Sequence, residues 1–254
     1  MNIEVKFGDY IFSTDAPVDS WDTDINTKVR EARKALTDGS VYKDIFLGIR
    51  RVSIRGTIYK STAELARTAL NELLQALNKG EQYLTLFNDR RIYAVARNPS
   101  HNYKAGLKFI SYSVDFYCGS PYWEKVSQTI PAATTIDSSP KEFIINNPGN
   151  ENTFPIITIT ADRTITGLVI QNETDVPDGE DEGLKFEYQD PAFFDKGVVI
   201  INCATGTAYR STTNTIRYFT GAFLKLLPGN NTITYTGNTD GATTVNFAFS
   251  ERFL

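Results

Sequence analysis

Helical spacing appears in one clear stretch of this sequence, Ser61 to Gly80, while nearly everywhere else apolar and polar residues alternate. A period of two is that of a strand with one buried face, so the chain must bury sheets against each other or against that one helix. Residues 51–59, RVSIRGTIY, put Val52, Ile54, Gly56 and Ile58 on one side and Arg51, Ser53, Arg55, Thr57 and Tyr59 on the other. QYLTLFNDRRIYAVA reads as a hairpin turning at Asn88-Asp89, residues that tolerate unusual backbone angles. LKFISYSVDFYC alternates again and stops at Gly119-Ser120-Pro121, just before Tyr122 and Trp123. In the helical stretch, Ser61 and Glu64 have capping-box spacing. Leu65, Ala66, Ala69, Leu70, Leu73, Leu74 and Leu77 make one apolar stripe, and Lys79-Gly80 suits the end. That stripe reads first as packing on its own sheet, with Leu65, Leu73 and Leu77 as a possible subunit contact. Residues 26–36, NTKVREARKAL, carry a fainter helical pattern, or a long loop.

After Trp123 the chain turns rich in Ser, Thr and Pro, and 127–140 reads as a linker. Beyond it come eight short strand candidates: EFIIN, PIITIT, GLVIQN, LKFEYQ, VVIINC, AFLKLL, NTITYTG and TTVNFAFS. Short strands with turn signals between them indicate an antiparallel sandwich of jelly-roll type.

The 254 residues suit two domains, and 41% hydrophobic with 22% charged residues describes a folded soluble chain. The first residues, MNIEVKFGDY, lack a basic region followed by an apolar core, so no signal peptide is expected and synthesis in the cytoplasm is the default. No apolar run is long enough to cross a bilayer. Cys118 and Cys203 lie in strand-like patterns and read as buried hydrophobes rather than a disulfide framework. A net charge of -4 argues against a surface built to hold phosphates. The single histidine, His101, falls in a loop-like segment and excludes a His-rich metal site. No phosphate-binding glycine loop, CxxC pair, HExxH or GxSxG elbow is present. Nothing nominates a carboxylate pair for glycoside hydrolysis. The candidate metal site is the acidic loop with Asp175, Asp178, Glu180, Asp181 and Glu182; its spacing is not that of an EF-hand, and it reads first as a solvated connection. Tyr209, Tyr218, Phe219 and Tyr235 are the aromatic candidates for stacking on sugars, against the alternative of filling the core.

Taken in order, these elements resemble the distal tail protein (Dit) family of long-tailed bacteriophages. RRVSIRGTI, residues 50–58, is similar to that family's R-x-[IV]-x-[IV]-x-G-x-[IVL] strand, and a helix and a hairpin follow as they do there. VDFYCGSPYW looks like the strand that runs into DPY and an aromatic, with Ser120 in place of the aspartate. INNPGNENTFPIITIT and FLKLLPGNNTITYTG…VNFAFSERFL resemble the opening and closing segments of the second domain. The resemblance covers nearly the whole chain, and its motifs carry structure rather than chemistry.

The resemblance implies a mainly β protein. Residues 1–126 would form a β-sandwich or split-barrel belt domain with one α-helix, and 141–254 a galectin-like jelly-roll sandwich after the 127–140 linker. It implies a structural role without catalysis or cofactors: a homohexameric ring at the tail tip, between the tail tube protein and a hub or fibre protein. DNA would pass through the ring without specific binding, and no membrane would be involved. Acidic subunits would suit such a channel by repelling phosphates. Pro121, Tyr122 and Trp123 would mark the domain junction. The short second half leaves no room for an inserted carbohydrate-binding module. The alternative reading is a sugar-binding adhesin module of the tail tip.

Overall fold

The computed structural model describes residues 4–12, 16–33, 40–87, 89–161, 167–180, 182–191, 197–237 and 243–254, with side chains left out for 28–33 and 40–46. The chain divides into two compact units, Met1–Val126 and Ser127–Leu254.

In the first unit the elements are β1 (Lys6–Phe7), β2 (Tyr10–Ile11), β3 (Val18–Arg33), β4 (Ser40–Tyr59), α1 (Ala63–Leu77), β5 (Glu81–Leu86), β6 (Arg90–Asn102), β7 (Phe109–Cys118) and β8 (Trp123–Lys125). The strands pair antiparallel in the order β2-β1-β5-β6-β7-β4-β3, with β8 against β6. The alternation read at 51–59 is realised in β4: Val52, Ile54 and Ile58 are fully buried, and their neighbours face the other way. Gly56 is required there, because a Cβ would sit 2.1 Å from the Pro17 carbonyl and 2.4 Å from the Tyr112 hydroxyl. That hydroxyl donates to the Ala16 carbonyl at 2.8 Å and ties the segment before β3 to the sheet.

Helix α1 lies against β4, β6 and β7. Its N-cap is Thr62, whose hydroxyl accepts from the Leu65 amide at 3.2 Å, one residue later than the capping box proposed at Ser61. Ala66, Ala69, Leu70, Leu73, Ala76 and Leu77 are buried, and each buried leucine contributes about 2 kcal/mol. This corrects the subunit contact proposed for the stripe: Leu73 and Leu77 are 1% and 6% exposed within their own unit, and only Leu65, at 50%, reaches the surface. A second correction concerns 26–36. Residues up to Arg33 lie in β3 rather than a helix, and 34–36 fall outside the described residues. His101 likewise lies in β6, opposite Tyr112, rather than in a loop. The β5–β6 hairpin forms as read, with Asn88 outside the described residues.

The second unit contains β9 (Thr134–Ile136), β10 (Lys141–Asn147), β11 (Ile156–Thr160), β12 (Leu168–Asn172), β13 (Leu184–Tyr188), β14 (Val198–Asn202), β15 (Thr207–Arg210), β16 (Thr213–Asn214), β17 (Phe219–Gly221), β18 (Gly229–Thr236) and β19 (Thr243–Ala248). One sheet runs β10-β18-β12-β13-β17 and the other β16-β15-β14-β11-β19-β9, with every pair antiparallel. Their inward residues, among them Ile145, Ile170, Phe186, Ile233 and Tyr235 from one sheet and Ile157, Val199, Ile201, Val245 and Phe247 from the other, form one buried cluster. This is a β-sandwich. The 127–140 stretch is not a free connection: Thr129 bridges to Phe249, and β9 pairs with β19.

AFLKLL, read as a strand, is not one; the strand is β17, just before it. Three buried asparagines explain why. Asn172 Nδ2 donates to the Lys225 carbonyl at 2.8 Å, Asn147 Nδ2 to the Leu226 carbonyl at 3.2 Å, and Asn231 Nδ2 to the Leu227 carbonyl at 2.8 Å. Asn231 Oδ1 also accepts from the Leu227 amide at 2.8 Å and from Asn172 Nδ2 at 3.1 Å. Side-chain amides thus take up backbone groups that a neighbouring strand would otherwise satisfy.

Cutting Asn231 to alanine strands the Asn172 amide and the Leu227 amide in the interior. At about 1–3 kcal/mol for each buried group left without a partner, Asn231→Ala should lower the stability of the second unit by about 3 kcal/mol or more, read as a lower denaturant midpoint. Alanine at the exposed neighbour Asn146 should change it little. Cys118 and Cys203 are buried and unbridged, as read from the sequence, and burial pushes both thiols up to about 12. The native protein at pH 8 should therefore resist a disulfide-exchange reagent, and both thiols should react once the chain is denatured.

Candidate functional site

Strand β4 is longer than the sheet that holds it. It pairs with β7 only from Arg50 to Tyr59, whereas β3 follows it from Gly56 out to Ser40. Residues 40–49 therefore carry β3 beyond the sheet as a two-stranded ribbon about 30 Å long. Among the described residues no further strand pairs with the outer edge of β3. A ribbon of two strands is marginally stable alone.

Arg50 stands at the root of this ribbon and is 4% exposed. Its Nε donates to the Pro121 carbonyl at 2.7 Å and its Nη1 to Thr23 Oγ1 at 2.9 Å. The guanidinium lies 5.7 Å from the centre of the Trp123 ring. Trp123, proposed for the domain junction, is thus buried at 4% beside Arg50 and 6.5 Å from Phe87, all residues of the first unit. Pro121 and Tyr122 are half-buried.

The sheet face opposite α1 is built of arginines and tyrosines. Tyr83 and Tyr93 meet edge to face at 4.9 Å, Arg91 lies 4.2 Å over Tyr83, and Arg51 lies 5.9 Å over Tyr117. Arg51 pairs with Asp115 at 2.6 Å, and Ser53 Oγ donates to the same carboxylate at 2.7 Å. Partial burial pushes the Asp115 carboxyl up, but the bonds from Arg51 and Ser53 and the Arg51 charge outweigh it and hold it below its ordinary value. The pair therefore adds stability above the ordinary carboxylate range and loses it as pH falls through the lowered value. Arg51, Arg55, Arg91 and Arg97 share this face with Asp22, Asp24, Glu81 and Asp115, so its charges balance. Two concavities, of 390 and 470 Å³, lie on either side of Arg51. Tyrosine and arginine are the residues that dominate protein interfaces.

The second unit has two unlike outer faces. On the five-stranded sheet, Glu142, Lys185 and Glu187 face outward. On the six-stranded sheet a row runs Asn246, Thr158, Ile200, Tyr209, Asn214 across the strands, and the flanking rows hold only Thr, Val, Ile, Ala and Asn. The strands of that face present no charge. Of the aromatics considered for sugars, Tyr209 is 37% exposed on this face, Tyr235 is wholly buried, and Tyr218 and Phe219 are half-buried.

The described residues of the acidic loop do not gather as a metal site. Asp175 is buried and paired with Lys225 at 3.1 Å, Glu182 is exposed and paired with Lys185 at 2.6 Å, and Asp178 and Glu180 are exposed. Asp181 lies outside the described residues, and among those described no three His, Cys, Asp or Glu side chains cluster to hold a metal. Sequence reasoning missed Arg50 and the ribbon. The only signal was an unusually long stretch before the 51–59 strand.

Residues 148–253 match the family model for the siphovirus-type tail component, C-terminal domain. No curated protein matches the chain. Among solved structures, the SPP1 Dit protein, described as a paradigm of the hub adsorption apparatus in phages infecting Gram-positive bacteria, is 15% identical, with 100% of both chains covered and a TM-score of 0.75. The phage P2 baseplate in its activated conformation with Ca is 8% identical, covering 99% of this chain and 98% of that one, with a TM-score of 0.50. The fold expected from the resemblance is therefore present along the whole length. The second unit is thus similar to the C-terminal domain of the siphovirus-type tail component, and the whole chain is similar in fold to the SPP1 Dit protein.

Proposed function

We propose that this structural tail protein closes into a six-membered ring at the tail tip. The ring joins the tail tube to a hub or fibre protein and lets DNA pass. The first unit is the ring-forming belt, and the galectin-like second unit serves the attached apparatus. The protein is made in the host cytoplasm and ends in the virion. The observation that carries this reading is the ribbon with its open β3 edge, continuous with the arginine and tyrosine face. A strand edge that meets a different surface on the next copy makes a head-to-tail contact, and such a contact either closes into a ring or runs on as a filament. The ring needs no chemistry, and host-wall zymography should be blank.

A second reading, a sugar-binding adhesin module, is favoured by the uncharged face around Tyr209. Neutral sugars offer hydroxyls to Asn and Thr side chains and C–H faces to an exposed ring. Binding on a glycan array at micromolar strength, lost in Tyr209→Ala, would select it; a blank array sets it aside.

From a chain of 28.4 kDa, light scattering after size exclusion should give about 170 kDa for the ring. Replacing residues 28–46 by a tight Asn-Gly turn should leave a folded monomer that no longer assembles. A shortened chain that still forms the large species would rule out the ribbon as the ring contact.

A further inference from the structure

Arg50 is a buried cation. Among the described residues no Asp or Glu forms an ion pair with it, and its Nη2 is enclosed without any acceptor. A carbonyl, a hydroxyl and the face of Trp123 are its partners. Neutral groups offset only part of the cost of removing a guanidinium from water, and burial accordingly lowers its pKa.

Its position is informative. Arg50 is where β4 parts from β7, and the carbonyl it holds belongs to the turn that ends the sheet. Against that turn lies a concavity of 310 Å³ lined by Asn26, Leu47, Gly48, Ile49, Gly119 and Pro121, none of them charged. Gly119 is exposed, with open space where a Cβ would stand.

We propose that Arg50 is a receptor for a carboxylate side chain from a second copy of this chain, admitted through the uncharged concavity beside Gly119 and Pro121. The donor is assigned by charge: the chain carries 30 Asp and Glu against 26 Lys and Arg. That assignment rests on the ring reading, while the carboxylate site itself does not. Planar, paired recognition of a carboxylate is what a guanidinium does and a lysine does poorly. Arg50 would then be costly in the lone chain and satisfied in the assembly.

The test is Gly119→Glu, which leaves Arg50 in place and supplies a carboxylate from within. It should raise the melting temperature of the isolated chain by about 2 °C and weaken assembly at least about tenfold. Arg50→Met should also weaken assembly, keep a folded monomer, and abolish the gain made by Gly119→Glu. If the wild type forms rings and both variants assemble as it does, the site is overturned and the ring reading stands. If the wild type stays monomeric, acetate against chloride at equal ionic strength decides. An acetate-induced rise in melting temperature that Arg50→Met lacks upholds the carboxylate site while the ring reading fails. Equal responses in both proteins overturn the site.

Discussion

The ladder between β4 and β7 is the constraint on which the first unit depends. Ten residue pairs, Arg50 with Cys118 through Tyr59 with Phe109, align Val52, Ile54 and Ile58 with Phe116, Val114 and Ile110 on one buried face. Each of these side chains contributes about 1.5–3 kcal/mol on burial, so a slip of one residue would turn the whole set toward water. The same register sets Arg51 beside Tyr117 and Ser53 beside Asp115 on the opposite face. The core and the arginine–tyrosine face are two sides of one alignment. Where the ladder stops, at Arg50, the ribbon begins.

The second unit solves a different problem. A sandwich must route chain between its sheets without leaving buried backbone groups unpaired. Asn147, Asn172 and Asn231 do this at one end, binding Leu226, Lys225 and Leu227 and each other's neighbourhood in a single network. Leu224 and Leu226 can then be wholly buried without belonging to a sheet. The two outer faces of the unit differ in charge: Glu142, Lys185 and Glu187 face outward from one sheet, and the strands of the other present none.

Much of the fold was legible because burial on one face imposes a period. The 51–59 strand, the β5–β6 hairpin, the helix and most second-unit strands follow from that alone. The errors fall where burial does not set the pattern. In β3 the ribbon segment pairs only with β4 among the described residues, and in the sequence the spacing of Val29, Ala32 and Leu36 mimics a weak helix. AFLKLL has a strand's composition, but its carbonyls are held by asparagines distant in sequence. The strands β15, β16 and β17 are too short for composition to mark, and β16 and β17 stand at sheet edges. The stripe on α1 and its packing on its own sheet were legible too, and that sheet covers Leu73 and Leu77. Arg50 belongs to the RRVSIRGTI motif, but only the three-dimensional fold reveals a buried cation with no ion pair among the described residues.

The pairing of β9 with β19 has a consequence for how the protein is made. Ile136 must find Thr243, and Thr129 must find Phe249, so the earliest part of the second unit waits for its last strand, roughly a hundred residues later. The first unit closes sooner: β1 needs β5, and the Ala16 segment needs Tyr112. On a ribosome, β1 to β7 can pair with one another while the second unit is still an open chain holding an unpartnered β9. Each copy then spends part of its synthesis with β3 and β4 paired and the sandwich incomplete.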